Sequence, residues 1–258
     1  MPENARVILL AGVARPAGRI AMALGYRVFT EIERPPQALF NRFGNIPTPD
    51  LADAMNRTGV VSAGIRPVYQ PMPPICGPGV TIGMADGSGL NVLKMGIEMA
   101  QAGDVLVIAA RGNTQHALLG GNLCVGLKSR GLAGAVVDGA VRDAGQIQSV
   151  GFPVHSRGLA INAGPKSGPG EINVPVAFGN AVIFPGDIIV ADEEGIVAVP
   201  LAHAEAVLQK VEALRATFAS LQPTLRRGEV TNIANIRREM EAEGCDFING
   251  AFTRERLS

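Results

Sequence analysis

The sequence predicts an α/β fold: one mixed-sheet domain over residues 34–232, between an N-terminal extension (residues 1–33) and a C-terminal extension (residues 233–258). Three observations predict it. Apolar, β-branched runs alternate with helix-patterned stretches from Thr48 to Val150, the mark of strand–helix units. Short β-rich runs separated by turn residues fill Asn173 to Pro200, which reads as antiparallel hairpins. Finally, 47% of residues are hydrophobic, and 23 Lys+Arg balance 23 Asp+Glu. A disordered chain needs the opposite, low hydrophobicity and high net charge.

The elements follow in order. From Asn4 to Thr30 there is no acid but four arginines, Arg6, Arg15, Arg19 and Arg27, a faint likeness to a transit peptide. The apolar run Val7 to Val13 is at the short limit for a signal core and has Glu3 in its flank, so it reads as a loosely docked extension. Regular structure is expected from about Arg27. Thr48-Pro49-Asp50 predicts a helix start, with a hydroxyl at the N-cap, proline at the first position and an acid in the first turn. Gly59 is expected to close that helix. Gly77 to Ala85 predicts a strand, Leu90 to Gln101 a helix burying Leu93, Ile97 and Ala100, and Val105 to Ala110 a buried strand. Gln115 to Arg130 leans helical but is interrupted by Gly120-Gly121, so a loop feeding a helix is expected there. Gly134 to Asp138 predicts another buried strand and Asp143 to Val150 a short helix. Four short strands then lie within Val174–Phe178, Ala181–Phe184, Ile188–Ala191 and Ile196–Val199. A long helix, Ala202 to Arg227, is expected to break at Pro223.

Composition also limits function. A pI near 6.8 without a basic run argues against a nucleic-acid binder, and no apolar run approaches a membrane span. Three cysteines, Cys76, Cys124 and Cys245, none in a CxxC, favour a reducing compartment, so a cytoplasmic location is expected. Phosphate-loop, dinucleotide and nucleophile-elbow motifs are missing, and Gly87-Ser88-Gly89 reads as a turn. His116, His155 and His203 lack metal-ligand spacing and read as packed or surface residues. Lysine is scarce, four against 19 arginines, which disfavours Schiff-base chemistry.

The informative strings are Gly120-Gly121-Asn122-Leu123 and Asp138-Gly139-Ala140-Val141-Arg142-Asp143. A buried strand that ends in Arg142-Asp143 sets opposite charges at its C-terminal end, where open α/β folds bind ligands. Arginine offers a fork of donors suited to a carboxylate, and aspartate is a hard oxygen ligand suited to Mg²⁺ or Mn²⁺. On the residues alone, a plainer role as a helix cap or a mutual ion pair stands open. The Gly-Gly-Asn string is a helix-entry turn or a set of backbone amides aimed at an anion.

Together with Thr48-Pro49, Gly77-Pro78-Gly79-Val80-Thr81, Ala102-Gly103-Asp104-Val105 and Pro185-Gly186-Asp187, these strings resemble the RraA-like family. That family holds the 4-hydroxy-4-methyl-2-oxoglutarate / 4-carboxy-4-hydroxy-2-oxoadipate aldolases and the regulator of ribonuclease E activity A. The resemblance runs from about Thr48 to Gly228. It implies a single-domain swivelling β/β/α sandwich with mixed sheets, a homotrimer or homohexamer, and sites at subunit contacts. It further implies Asp143 as ligand to Mg²⁺ or Mn²⁺ and Arg142 against the pyruvoyl part of a small 2-oxo acid. Gly120, Gly121, Asn122 and Leu123 would bind the substrate. The implied activity is class II aldol cleavage of a 4-hydroxy-2-oxo acid to pyruvate, with oxaloacetate decarboxylation as a companion. The alternative is a non-catalytic regulator of a ribonuclease. This chain departs from the aldolase pattern at Asn122, where the family usually carries an acid. A glutamate from a neighbouring subunit's C-terminal helix is also implied, with Glu212 the candidate.

Overall fold

Strands buried on both faces need near-continuous apolar runs, and three such runs build the centre of the molecule. In the computed structural model, which describes residues 25–61 and 64–251, they form a parallel set. These are β2 (Ile75–Met84), β3 (Val105–Leu119) and β4 (Gly134–Val141), extended by β5 (Val154–Leu159) parallel to β4. The short β1 (Arg66–Pro67) closes one edge antiparallel to β5, and β6 (Gly170–Ile172) pairs with the end of β2. β7 (Val176–Phe178) and β8 (Ala181–Ile183) form a separate hairpin. β9 (Ile188–Ala191) and β10 (Ile196–Val199) form another that joins the start of β2. The main sheet therefore runs β1-β5-β4-β3-β2-β9-β10.

Strand periodicity sorts the core into layers. Leu106, Ile108, Val137 and Val154 face α3 (Leu90–Met99), α4 (Gly121–Ser129) and α5 (Ala144–Val150). Alternate residues Val105, Val107 and Val136 face Phe178, Ile183, Ile189 and Ala198 on the hairpins. The other faces of β9 and β10, Ile188, Val190, Val197 and Val199, meet α1 (Gln37–Phe40), α2 (Thr48–Ala54) and the first half of α6 (Ala204–Arg226). α6 buries Ala204, Val207, Leu208 and Val211, a helical stripe, and α7 (Ile233–Ala242) buries none. Among the described residues no helix is long and apolar enough to cross a membrane.

Four local expectations are corrected. Gln115–Leu119 is strand, not helix: β3 bulges after Ala109, with Arg111 in the left-handed region, and regains β4 at Ala117 and Leu119. Pro223 does not break α6, because that turn is exposed and water can satisfy the carbonyl that loses its amide partner. Gly59 does not close α2, which stops at Ala54, with Asn56 and Arg57 taking positive φ. Finally, Thr48 does not cap its own helix. Its amide and hydroxyl donate instead to Asp192, at 2.8 and 2.7 Å, and the Glu194 and Gly195 amides donate to the same carboxylate. Of the first-extension residues, 1–24 lie outside the described residues, including the run Val7–Val13; Phe29 and Ile172 bond through their backbones.

Asp192 therefore pins α2 to the β9–β10 turn, and His155 adds a ring nitrogen 2.8 Å from the Asp192 carbonyl. Burial raises the Asp192 carboxyl's pKa, but the hydrogen bonds from Thr48, Glu194 and Gly195 outweigh it and hold the pKa below the usual carboxylate range. A lowered folded pKa means the contribution is complete above the unfolded carboxylate pKa and is lost as pH falls through the folded one. Asp192→Asn is expected to cost about 2 kcal/mol at neutral pH and to flatten the acid limb of a urea-stability profile. Parallel acid limbs in the two proteins would contradict the assignment.

Candidate functional site

All eight residues of β4 are buried, so the strand's C-terminal end is rigidly placed. Arg142 leaves it with its amide bonded to the Leu119 carbonyl at 3.0 Å, tying the two candidate strings together. Asp143 follows at φ 60° and ψ 41°, a left-handed conformation for a residue with a Cβ. Such a conformation costs on the order of 1 kcal/mol and persists where surrounding structure imposes it. As the N-cap residue of α5, Asp143 supplies only its carbonyl, to Gln146 and Ile147; its side chain makes no cap bond.

The carboxylate is thus left for other work. Its Oδ2 lies 3.3 Å from the Gly121 amide and 3.6 Å from Arg142 Nε, and both side chains are about half-exposed. A loose exposed pair contributes about 0–1 kcal/mol. Neither plain reading, cap or stabilising pair, accounts for the strained placement.

The two glycines let α4 approach this close. A Cβ on Gly120 would sit 2.9 Å from Asp143 Oδ2 and 3.1 Å from Arg142 Cγ, and one on Gly121 would overlap the Gln146 amide. The first turn of α4 thereby brings its backbone amides beside Arg142-Asp143, an anion-favouring end. Asn122 is exposed and accepts from Gln146 Nε2 at 3.0 Å; Leu123 packs against the core. All the residues singled out from the two strings meet here. Gly120, Asn122, Leu123, Arg142 and Asp143 border a cavity of about 100 Å³ that also touches Leu90 and Ala163. A more open cleft of about 450 Å³ adjoins it, where Arg142 and Asp143 face Leu159, Ala160 and Ile161. Leu159 and Ile161 are 62% and 91% exposed, an apolar wall beside the charges.

Among the described residues no cluster of three His, Cys, Asp or Glu side chains is able to hold a metal. Asp143 alone suits a divalent ion here: it is a hard oxygen donor whose Oδ1 has no hydrogen-bond partner among the described residues. One carboxylate with water and substrate oxygens completing the shell is a Mg²⁺-type arrangement. Cys124, beneath the loop, has its thiol pushed up to about 12 by burial and then by the Asp143 charge, so it is inert.

Other candidates fall elsewhere. Glu212 lies on α6, in the opposite layer of the same chain, beside Arg42. The Asp192-Glu193-Glu194 turn is the α2 anchor described above. Within 162–173, the Pro165 and Lys166 carbonyls accept from Gly89, Leu90 and Asn91, capping α3. A cleft of about 420 Å³ beside Arg111 and Glu171 has more room than the α4 cavity, but Glu171 is paired with Arg27 and the cleft gathers no comparable set of donors.

The motif acids that sequence reasoning passed over are structural. Asp138 is buried, pairs with Arg157 and accepts the Gly179 amide at 2.9 Å, so it ties β4 to the β7–β8 turn. Asp104 is buried against Arg34 in a two-pronged pair, and Asp187 accepts from the Phe184 and Leu201 amides. The available signal was a charge inside an apolar strand, which must be paired to be buried.

A mixed α/β fold with this loop-and-strand site defines a class, the aldolase/RraA type. The chain matches the RraA-like family, described as Aldolase/RraA, over residues 48–198, and it belongs to that family. It is 39% identical over 175 residues to a Halalkalibacterium halodurans protein named "Putative 4-hydroxy-4-methyl-2-oxoglutarate aldolase", covering 68% of this chain and 82% of that one. A Deinococcus radiodurans protein of the same name is 33% identical over 150 residues, 58% of this chain and 92% of its own. In structure the chain is similar to Streptomyces coelicolor RraAS2, described as an unusual member of the RNase ES inhibitor RraA family. That match has TM-score 0.65 and 28% identity, over 76% of this chain and 98% of the other. The RNA-processing inhibitor RraA from Thermus thermophilus matches with TM-score 0.55 and 29% identity, over 60% and 93%.

Proposed function

We propose that this protein is a divalent-metal-dependent carbon–carbon lyase that forms a pyruvate enolate from a 2-oxo acid. Its substrates would be a 4-hydroxy-2-oxo acid, giving pyruvate and a second carbonyl acid, or oxaloacetate, giving pyruvate and CO₂. The observation that carries this reading is the strained Arg142-Asp143 pair set against the N-terminus of α4. The aldolase names of the relatives point the same way.

The chain's residues divide the work. Arg142, with its guanidinium half-exposed at the cavity, would hold the substrate carboxylate and the oxygen on which enolate charge develops. Backbone amides of the first turn of α4 would complete the anion subsite. Asp143 would hold Mg²⁺ or Mn²⁺, which when bound supplies Lewis-acid polarisation of the 2-oxo group. The open apolar wall of Leu159 and Ile161 would exclude water from the leaving half once a second copy packs there, in a homotrimer or homohexamer. We place the protein in the cytoplasm.

The test is to supply Mg²⁺ or Mn²⁺ with a panel of 2-oxo acids and to follow pyruvate by a coupled assay. Metal-dependent pyruvate release that chelation abolishes is the expected result; none on any substrate ends the lyase reading. The second reading, a protein-binding regulator, is favoured by the two RraA structures above and by the neutral side chain at Asn122. It predicts no turnover and stable binding to a ribonuclease.

A further inference from the structure

β3 pairs with β2 only as far as Gly83–Ala109 and next meets β4 at Asn113, so residues 110–112 belong to neither ladder. In that bulge Arg111 takes φ 53° and Gly112 φ 75°. Glycine accepts such a backbone freely; a residue with a long side chain is strained there. The surroundings hold it in place. Arg157, paired with the buried Asp138, lies against Gly112, where an added Cβ would come within 3.3 Å of its Nε. On the other flank Asn113 donates to the Asp86 carbonyl and accepts the Gln115 amide at 2.9 Å. The Arg111 guanidinium itself makes no hydrogen bond or ion pair among the described residues, and the residue is exposed. Strain that serves no internal contact points to an external one.

Arg111 borders the cleft of about 420 Å³ at the C-terminal end of β2, the end at which open α/β sheets take ligands. That volume is within the range of small-molecule pockets. Two bare glycines, Gly83 and Gly170, bring its walls together. A Cβ on the first would stand 3.4 Å from Val176, and one on the second 2.8 Å from the Gly83 carbonyl oxygen. Met84, Ala85, Val174, Val176 and Ala177 make the lining mostly apolar. The acids close by are engaged. Glu171, the one carboxylate of the lining among the described residues, is paired with Arg27. Asp86 lies outside the lining, and hydrogen bonds from Ser88 are what chiefly lower its carboxyl pKa, with the Arg111 charge adding least. Among the described residues the cleft therefore offers one uncompensated cation beside an apolar chamber.

We propose that this cleft is a second ligand site, separate from Arg142 and Asp143, for a small organic acid with one carboxylate and a compact apolar body. The carboxylate pairs with the fork of the Arg111 guanidinium, and the body covers Met84, Val174 and Val176. Inorganic phosphate satisfies the cation but leaves the apolar walls wet, so it is the poorer occupant. With a single cationic donor the cleft is suited to binding rather than turnover, and its role is independent of what the Arg142-Asp143 site catalyses.

The test is a ligand-observed NMR titration of the full-length protein with benzoate, isovalerate and inorganic phosphate. Both carboxylates are expected to bind with Kd on the order of 1 mM, the scale for fragments of this size, and phosphate roughly tenfold more weakly. Arg111→Asn keeps a residue that tolerates the left-handed region, and it is expected to weaken benzoate roughly tenfold. Ala177→Phe, at an exposed strand position, fills the apolar half and is expected to do the same with Arg111 intact. Arg142→Ala is expected to leave benzoate binding unchanged. Arg111→Gly, which relieves the strain, is expected to melt at or above the wild-type temperature. Failure of either carboxylate to bind at about 10 mM, or binding that survives Arg111→Asn or disappears in Arg142→Ala, would overturn the proposal. Phosphate bound as tightly as benzoate would overturn the organic-acid assignment. A lower melting temperature in Arg111→Gly would show that the arginine holds the fold, and would overturn the proposal as well.

Discussion

Arg142→Ala is expected to lower pyruvate release by about 10²–10³ in kcat, the range seen when one donor to a developing oxyanion is removed. The arginine borders both cavities and makes only a loose contact with Asp143, so its loss disturbs little packing. Folding should be unaltered by circular dichroism and thermal melting, which makes the kinetic loss interpretable. Asp143 calls for a different substitution. Alanine at φ 60° adds backbone strain to the chemical change, whereas asparagine tolerates the left-handed region and removes only the charge. Asp143→Asn is expected to lose metal-dependent turnover by a similar factor and to require more Mg²⁺ for half-maximal rate. If both variants turned over like wild type, the site would lie elsewhere.

Asp138→Ala should act on stability instead. Removing one partner of a buried ion pair costs about 3–5 kcal/mol, and the partial exposure of Arg157 puts this case near 3. The Gly179 amide also loses its acceptor, so the β7–β8 turn loosens from β4. A loss of 3 kcal/mol corresponds to a fall in melting temperature of roughly 6–12 °C for a domain of this size. A melting temperature within a degree of wild type would show that the pair contributes nothing. The two aspartates of one six-residue string thus have separable roles: the first fastens layers, the second faces the cavity.

Much of this fold is readable from the chain alone, because its central strands are apolar enough to be buried from both sides. The turns at Gly179-Asn180 and Glu193-Glu194 announce their hairpins, whereas Pro185-Gly186 only links β8 to β9, which lie in different sheets and do not pair. What could not be read depends on partners distant in sequence. Ala117-Leu118-Leu119 before two glycines has no local reason to be a strand; its pairing with Ala140 and Val141 decides. Thr48 looks like a helix cap until Asp192, 144 residues away, takes its hydroxyl. The same holds at the site. Arg142, Asp143 and the glycine loop stand out as strings, whereas Gln146 is unremarkable in sequence and gains meaning only by lying over Gly121. A side chain whose role is to fill space left by a glycine has no signature of its own.

β2 carries a consequence for how the chain reaches this structure. Its first four residues, Ile75 to Pro78, pair with β9, and from Gly79 onward it pairs with β3; Pro78, which has no amide hydrogen, stands at the changeover. One segment is therefore satisfied by neighbours about 30 residues downstream and the other by neighbours more than 100 downstream. During synthesis the parallel set can assemble while the early part of β2 remains an open edge, until residues 188–191 arrive to cover it. Distant pairings of this kind form late and slowly, and an unpaired edge invites association with other chains. The proline in the middle of β2 limits that hazard by interrupting the edge where it stays bare longest.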